Sequence, residues 1–199
     1  SSLRMTPKDA QTIDEAPLIA RCQAGHLEDF DPLYRAHVRS VYAFVYRRTM
    51  HRENAEDITS VTFMKALERI GTFSGKKGTF IGWLISIARN TVTDHYRTKR
   101  EWKDIEDVWD LSSDDDVATD ASTTLDIEKV RSALKTLDAA KREIVLLRLW
   151  DGLPYKDIAA IPGKSEGNCK VIFCRAVEQL RKEVPLAVLL LLFLSPINP

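Results

Sequence analysis

Ser86, Arg89, Asn90, Thr93 and Arg97 fall on one side of a helix if the stretch from Thr79 to Arg100 is helical. Hydroxyls, an amide and guanidiniums in such a row suit hydrogen bonding to bases and neutralisation of phosphates. Lys99 and Arg100 extend the charge at the end of the stretch. Phe80, Leu84, Ile87, Ala88 and Thr91 recur at three- and four-residue steps and make the opposite side a packing face. An ordinary amphipathic surface helix has the same pattern, so the neighbouring segments must decide between the two readings.

Two of those segments point the same way. Just before the helix, Gly71 to Gly78 (GTFSGKKG) is a Gly-rich loop in which Lys76 and Lys77 flank backbone that can approach a phosphate or a splayed base. Further on, Pro154 opens a short helix over Tyr155–Ala160, Pro162-Gly163 makes a turn, and Ser165 caps a longer helix. In that last helix Val171, Ile172, Ala176 and Leu180 supply the apolar spacing. A short helix, a tight turn and a capped helix form a helix-turn-helix, which lays its second helix in a major groove. Asn168, Lys170 and Arg175, with Ser165 at the helix start, are its candidate contacts.

Charge separates the chain into blocks. The 199 residues sum to a net charge of zero, yet residues 31–100 carry +7, residues 101–128 carry −10 and residues 129–182 carry +6. Two basic bodies joined by an acidic strap suggest polyanion binding by each body and a separate purpose for the strap. Within Glu101 to Asp120, nine carboxylates stand against Lys103, and few apolar residues are available for anchoring apart from Trp102 and Trp109. This composition reads as a flexible linker able to occupy a basic channel in a partner. Cys22, Cys169 and Cys174 form no CxxC, and the four histidines show no metal-ligand spacing. Free thiols in a reducing cytoplasm, with no metal and no cofactor, are therefore expected. No set of residues with nucleophile-and-base or phosphate-cradling spacing points to an enzyme.

The elements that must position these groups read as helices throughout. One is expected from Glu15 to Ala24, broken by Gly25 and His26. A second runs from Leu27 to Arg48, with Phe30, Leu33, Tyr34, Val38, Val41, Tyr42, Phe44 and Val45 as core and Arg35, Arg39, Arg47 and Arg48 as a solvated basic face. Asn54 is expected to cap a third helix with Glu56 and Asp57 in its first turn. Ile58, Thr62, Phe63, Ala66, Leu67 and Ile70 would face inward there, leaving Val61 and Met64 exposed beside Lys65 and Glu68, where a partner helix could dock. In the second body Val130, Ala133, Leu134 and Leu137 mark one helix, and Ile144, Val145, Leu147 and Leu149 another that ends at Asp151-Gly152. Val184 to Leu194 (VPLAVLLLLFL) is 11 residues long, short of the roughly 20 a membrane span needs, so it should pack on the protein or a partner. Ser1 to Arg4, ahead of Met5, read as a cloning remnant.

Together the segments resemble the extracytoplasmic-function sigma factors, small two-domain initiation subunits of bacterial RNA polymerase. Four blocks carry the resemblance in order: Ala55-Glu56-Asp57-Ile58 with Phe63 and Ala66; Trp83-Leu84 with Ile87-Ala88-Arg89-Asn90, Asp94 and Arg97; Arg142-Glu143-Ile144 with Leu147-Arg148; and Gly152 to Ala159 with Arg175-Ala176 and Leu180. The resemblance implies an all-α fold of two small helical domains on a flexible acidic linker. Residues 13–100 would form a region-2 body, 101–125 the linker, 126–183 a region-4 helix-turn-helix body and 184–199 an apolar tail.

Roles follow for matching positions. Asp57, Ser60, Val61, Met64 and Lys65 would dock on core RNA polymerase. Lys76, Lys77, Trp83, Arg89, Asn90, Arg97 and Arg100 would open the minus-ten element and hold a flipped base. Extruding a base costs a few kcal/mol, which stacking and polar contacts at about 1–3 kcal/mol per base can offset. Ser165, Asn168, Lys170 and Arg175 would read the minus-thirty-five element of promoter DNA. An anti-sigma protein is the implied regulatory partner, with no membrane span in the chain itself. The chain departs from the family pattern at Ser60-Val61, where Gln-Glu is usual, and at Asn168-Cys169, Ile172 and Pro154, where Thr-Val, Arg and Ser are usual. These changes imply altered promoter preference or extra regulation through the tail. The competing reading is a free-standing helix-turn-helix regulator that binds a palindromic operator as a dimer.

Overall fold

The structure is a computed structural model that describes residues 13–49, 51–98, 129 and 132–184. The described residues contain helices and no strand, in agreement with the all-helical expectation. The acidic strap with Trp102 and Trp109, Lys99 and Arg100, Val130 and the apolar stretch beyond Val184 lie outside them.

Helix α1 (Glu15–Gln23) ends at Gly25, whose φ of +102° is a backbone state that glycine adopts without strain. A 3-10 turn over Leu27–Asp29 leads into α2 (Phe30–Thr49), so the long helix begins three residues later than its apolar spacing suggests. Helix α3 (Arg52–Glu68) packs against α2, and α4 (Phe80–Thr98) lies against both. The cap of α3 is His51, whose Nδ1 accepts the Asn54 N–H at 3.4 Å. Asn54 is thus inside the helix and uses its backbone, not its side chain, at this end. Tyr34 is another correction. It is substantially exposed, although its ring meets the edge of Phe63 at 4.8 Å.

Helix α4 has the inner face read from its spacing, with Phe80, Leu84, Ile87, Ala88 and Thr91 all buried. Ile85 and Val92 are buried as well, so the packing face is wider than that stripe. A wider face means a second neighbour.

In the second body, residues 132–135 form a helical turn. Helix α5 (Ala139–Leu149) follows, capped by Asp138, whose side chain accepts the Lys141 N–H at 2.9 Å. Buried Arg142 holds the turn to α5 by donating to the carbonyls of Leu134 and Leu137, each at 2.8 Å. Helix α6 (Tyr155–Ala160), a turn at Gly163 (φ +66°) and α7 (Glu166–Glu183) complete the helix-turn-helix. Pro154 stands one position outside α6, at its N-cap, and Ser165 caps α7 as expected by accepting the Asn168 N–H at 3.2 Å. Val171 is 48% exposed, not part of the core, and the α7 inner face consists of Cys169, Ala176 and Leu180 with half-buried Ile172 and Phe173.

The two bodies share a core. Ile144, Leu147, Leu153, Ile158, Ala159 and Cys169 of the second body belong to the same buried cluster as Phe44, Phe80 and Ile85 of the first. A smaller cluster of Ala133, Leu134, Leu137, Val145, Leu146, Ala176 and Leu180 belongs to the second body alone. Arg47 and Arg48, expected on a solvated face, instead reach the second body. Both pair with Asp151, whose side chain is only 3% exposed. A carboxylate this far from water needs such partners, because an unpaired buried charge is strongly unfavourable.

Candidate nucleic-acid interface

The outer side of α4 is built on an aromatic wedge. Phe73, from the loop before the helix, meets Phe80 edge-on at 5.3 Å and Trp83 at 5.5 Å, and Phe80 and Trp83 lie 5.6 Å apart. Trp83 is half-buried in this wedge, so it fixes the loop against the helix as well as offering an edge to solvent. Lys76 and Lys77 project from the loop into water, and Asn90 and Arg97 are exposed along the helix. Arg100 lies outside the described residues. Arg89 is placed differently from its neighbours. Its guanidinium forks onto Glu143 of α5, with Nη2 3.3 Å from Oε2.

The start of α4 is also occupied. Thr79 caps it, with Oγ1 accepting the Gly82 N–H at 3.2 Å. The same hydroxyl donates to Asp157 Oδ2 on α6, while the Thr79 N–H donates to Asp157 Oδ1 at 2.8 Å. Asp157 is buried and stands so close that a Cβ at position 78 would lie 2.6 Å from its Oδ1. A Cβ at position 82 would lie 2.6 Å from its Oδ2 and 2.7 Å from its own Cβ. Glycine at 78 and 82 is what lets the two bodies approach. Lys156 adds a bond from Nζ to the Gly75 carbonyl at 3.4 Å.

On α3, Asp57, Ser60, Val61 and Met64 follow the i, i+3, i+4, i+7 spacing of one helical face, and all four are exposed. Met64 is 64% exposed, next to exposed Val61 on the same stripe. Lys65 is not part of that open stripe. Its Nζ lies 3.3 Å from Thr91 Oγ1 and 3.6 Å from Asp94 Oδ2, tying α3 to α4. On α7, Val171 centres the exposed arc, flanked by Asn168 and Arg175 on one side and by Lys170 on the other. Lys170 extends over the Tyr155 ring, 5.6 Å from its centroid, and Ser165 spends its hydroxyl on the cap.

Comparison with known proteins is consistent with this arrangement. Residues 33–101 match the Sigma-70 region 2 family model, and residues 127–180 match the Sigma-70, region 4 model. The chain is 35% identical over 190 residues to the ECF RNA polymerase sigma factor BldN of Streptomyces coelicolor, covering 92% of this chain and 70% of that one. It is 30% identical to the RNA polymerase sigma factor CarQ of Myxococcus xanthus, covering 81% and 92%. The chain belongs to the ECF RNA polymerase sigma factors.

Solved structures share its fold. The sigma factor RpoE in complex with the anti-sigma factor NepR from Bartonella quintana superposes with a TM-score of 0.55 at 28% identity, covering 78% of this chain and 96% of that one. CnrH in complex with the cytosolic domain of CnrY superposes at 0.59 with 22% identity, covering 83% and 94%, a likeness of fold. For a sigma factor, the residues that sequence reasoning missed are those between the bodies: Arg47, Arg48, Gly78, Gly82, Glu143, Asp151 and Asp157. Gly82 inside an otherwise helical pattern was the available signal, since a mid-helix glycine costs about 1 kcal/mol relative to alanine and asks for a packing reason. The carboxylates gave none, because their partners lie 54 to 104 residues away.

Proposed function

We propose that this ECF sigma factor binds core RNA polymerase through the exposed Asp57, Ser60, Val61 and Met64 stripe of α3 and directs initiation at a two-part promoter. The single observation that carries the reading is the pair of outward polar faces, on α4 and α7, in one chain that matches both sigma regions. Asn90 and Arg97, with Lys76, Lys77 and the Trp83 edge, open the minus-ten element, and Arg89 joins them when Glu143 releases it. Asn168, Lys170 and Arg175 read the minus-thirty-five element from the major groove, with Val171 between them offering an apolar contact to a thymine methyl group. The protein acts without catalysis of its own, in the cytoplasm. Among the described residues no helix is long and apolar enough to cross a membrane.

The RpoE and CnrH structures contain partner proteins, one of them an anti-sigma factor, and we read this chain as controlled in the same way. The dimeric-regulator reading is not favoured, because it gives no reason for a region-2 body. Co-elution of the chain with purified core polymerase tests the assignment. The wild type should co-elute and Met64→Asp should not; equal behaviour of the two would remove the α3 stripe from the interface.

A further inference from the structure

We propose that the free chain rests in a closed, self-masked state, latched by Asp157 on the start of α4, and that opening this latch exposes the nucleic-acid face. The inference rests on the reading of α4 as that face. Among the described residues, polar contacts between the bodies are spread along the junction. Asp157 takes the Thr79 N–H and hydroxyl at the head of α4. Glu143 holds Arg89 in the middle of α4. Asp151 joins Arg47 and Arg48 near the end of α2. Ile144 and Leu147 of α5 and Ile158 of α6 share one buried cluster with Phe80 and Ile85.

The consequence for binding is direct. An Arg89 fork engaged twice by a carboxylate has little left for a base or a phosphate. The carboxylates of Glu143 and Asp157 also place negative charge where a nucleic-acid strand would approach α4, which raises the cost of that approach. Asn90, Arg97, Lys76 and Lys77 remain exposed, so the closed state offers part of the face while withholding its centre. The glycines make the latch specific. At 78 and 82 no side chain fits beside Asp157, so closure depends on two positions that touch no ligand in the proposed function.

Because of this geometry the latch can be broken without touching a candidate contact. Gly82→Ala favours the isolated α4 helix and yet clashes with Asp157, and Asp157→Ala removes both bonds to Thr79. Small-angle scattering on the full chain reads closure, and fluorescence anisotropy with a fluorescein-labelled oligothymidylate reads access, with circular dichroism confirming that helicity is kept. The wild type should be compact. Both variants should have a larger radius of gyration and bind the oligonucleotide at least about threefold more tightly, as expected when a binding-competent state becomes more populated. Unchanged scattering in both variants would overturn the latch, and opening without tighter binding would overturn the masking. Should no form bind the oligonucleotide, the masking falls together with the reading of α4, while scattering still decides whether the latch exists.

Discussion

Asp157, on the first helix of the helix-turn-helix, accepts the backbone N–H of Thr79 at 2.8 Å across 78 residues of chain. A capping function at the head of α4 is thereby shared between that helix's own Thr79 and a residue of the other body. Arg89 with Glu143 and Asp151 with Arg47 and Arg48 repeat the pattern. What composition suggests is two basic bodies on a tether is, in the closed chain, one body in which acidic residues of the second half answer arginines of the first.

The Asp151 contact is the most deeply buried of the three, and its loss should be the most costly. Asp151→Ala leaves two mostly buried guanidiniums, Arg47 and Arg48, without their carboxylate. Removing one partner of a buried pair costs about 3–5 kcal/mol, and the lower end applies because both arginines keep some contact with water. Urea denaturation should show the loss as a lower midpoint. A change under about 0.5 kcal/mol, typical of a surface substitution, would mean that the pairing carries no stability.

The three thiols should react in a set order. Cys174 is exposed, whereas Cys22 and Cys169 are buried. Burial pushes both buried thiols above the ordinary cysteine range, so the reactive thiolate is scarcer at neutral pH as well as less accessible. Alkylation of the native chain followed by mass spectrometry should modify Cys174 first and reach Cys22 and Cys169 only slowly. Equal rates at all three sites would contradict the packing of α1 and α7.

Promoter contacts of α7 should appear in the salt dependence of binding. Each phosphate contact contributes about −0.9 to the slope of log K against log salt for B-form DNA. Lys170→Ala together with Arg175→Ala should flatten the slope by about one to two units if both reach phosphates. An unchanged slope would place both side chains outside the interface.

How much of this was legible beforehand depended on distance along the chain. The inner stripe of α4, the Ser165 cap and the exposure of Val61 and Met64 all follow from spacing within one helix, and periodicity reads them. Adjacent Val171 and Ile172 are turned by about 100° from each other, and the spacing did not say that α7 would bury too narrow a face to take in Val171. The cap of α3 was missed because Ser, Thr, Asp and Asn are the usual capping residues, and histidine is not among them. The destinations of Arg47, Arg48 and Arg89 were beyond reach for a different reason. Their partners are set by how two bodies dock, and a single helix pattern carries no record of that.

Run-off transcription tests the central claim most directly, with core polymerase supplied on linear promoter templates in the presence and absence of this chain. The account predicts a discrete transcript that requires the chain and weakens when Asn90→Ala is supplied, with promoter duplex binding retained. Transcription that is the same with and without the chain, or a chain that binds promoter DNA yet never yields a start, would contradict it.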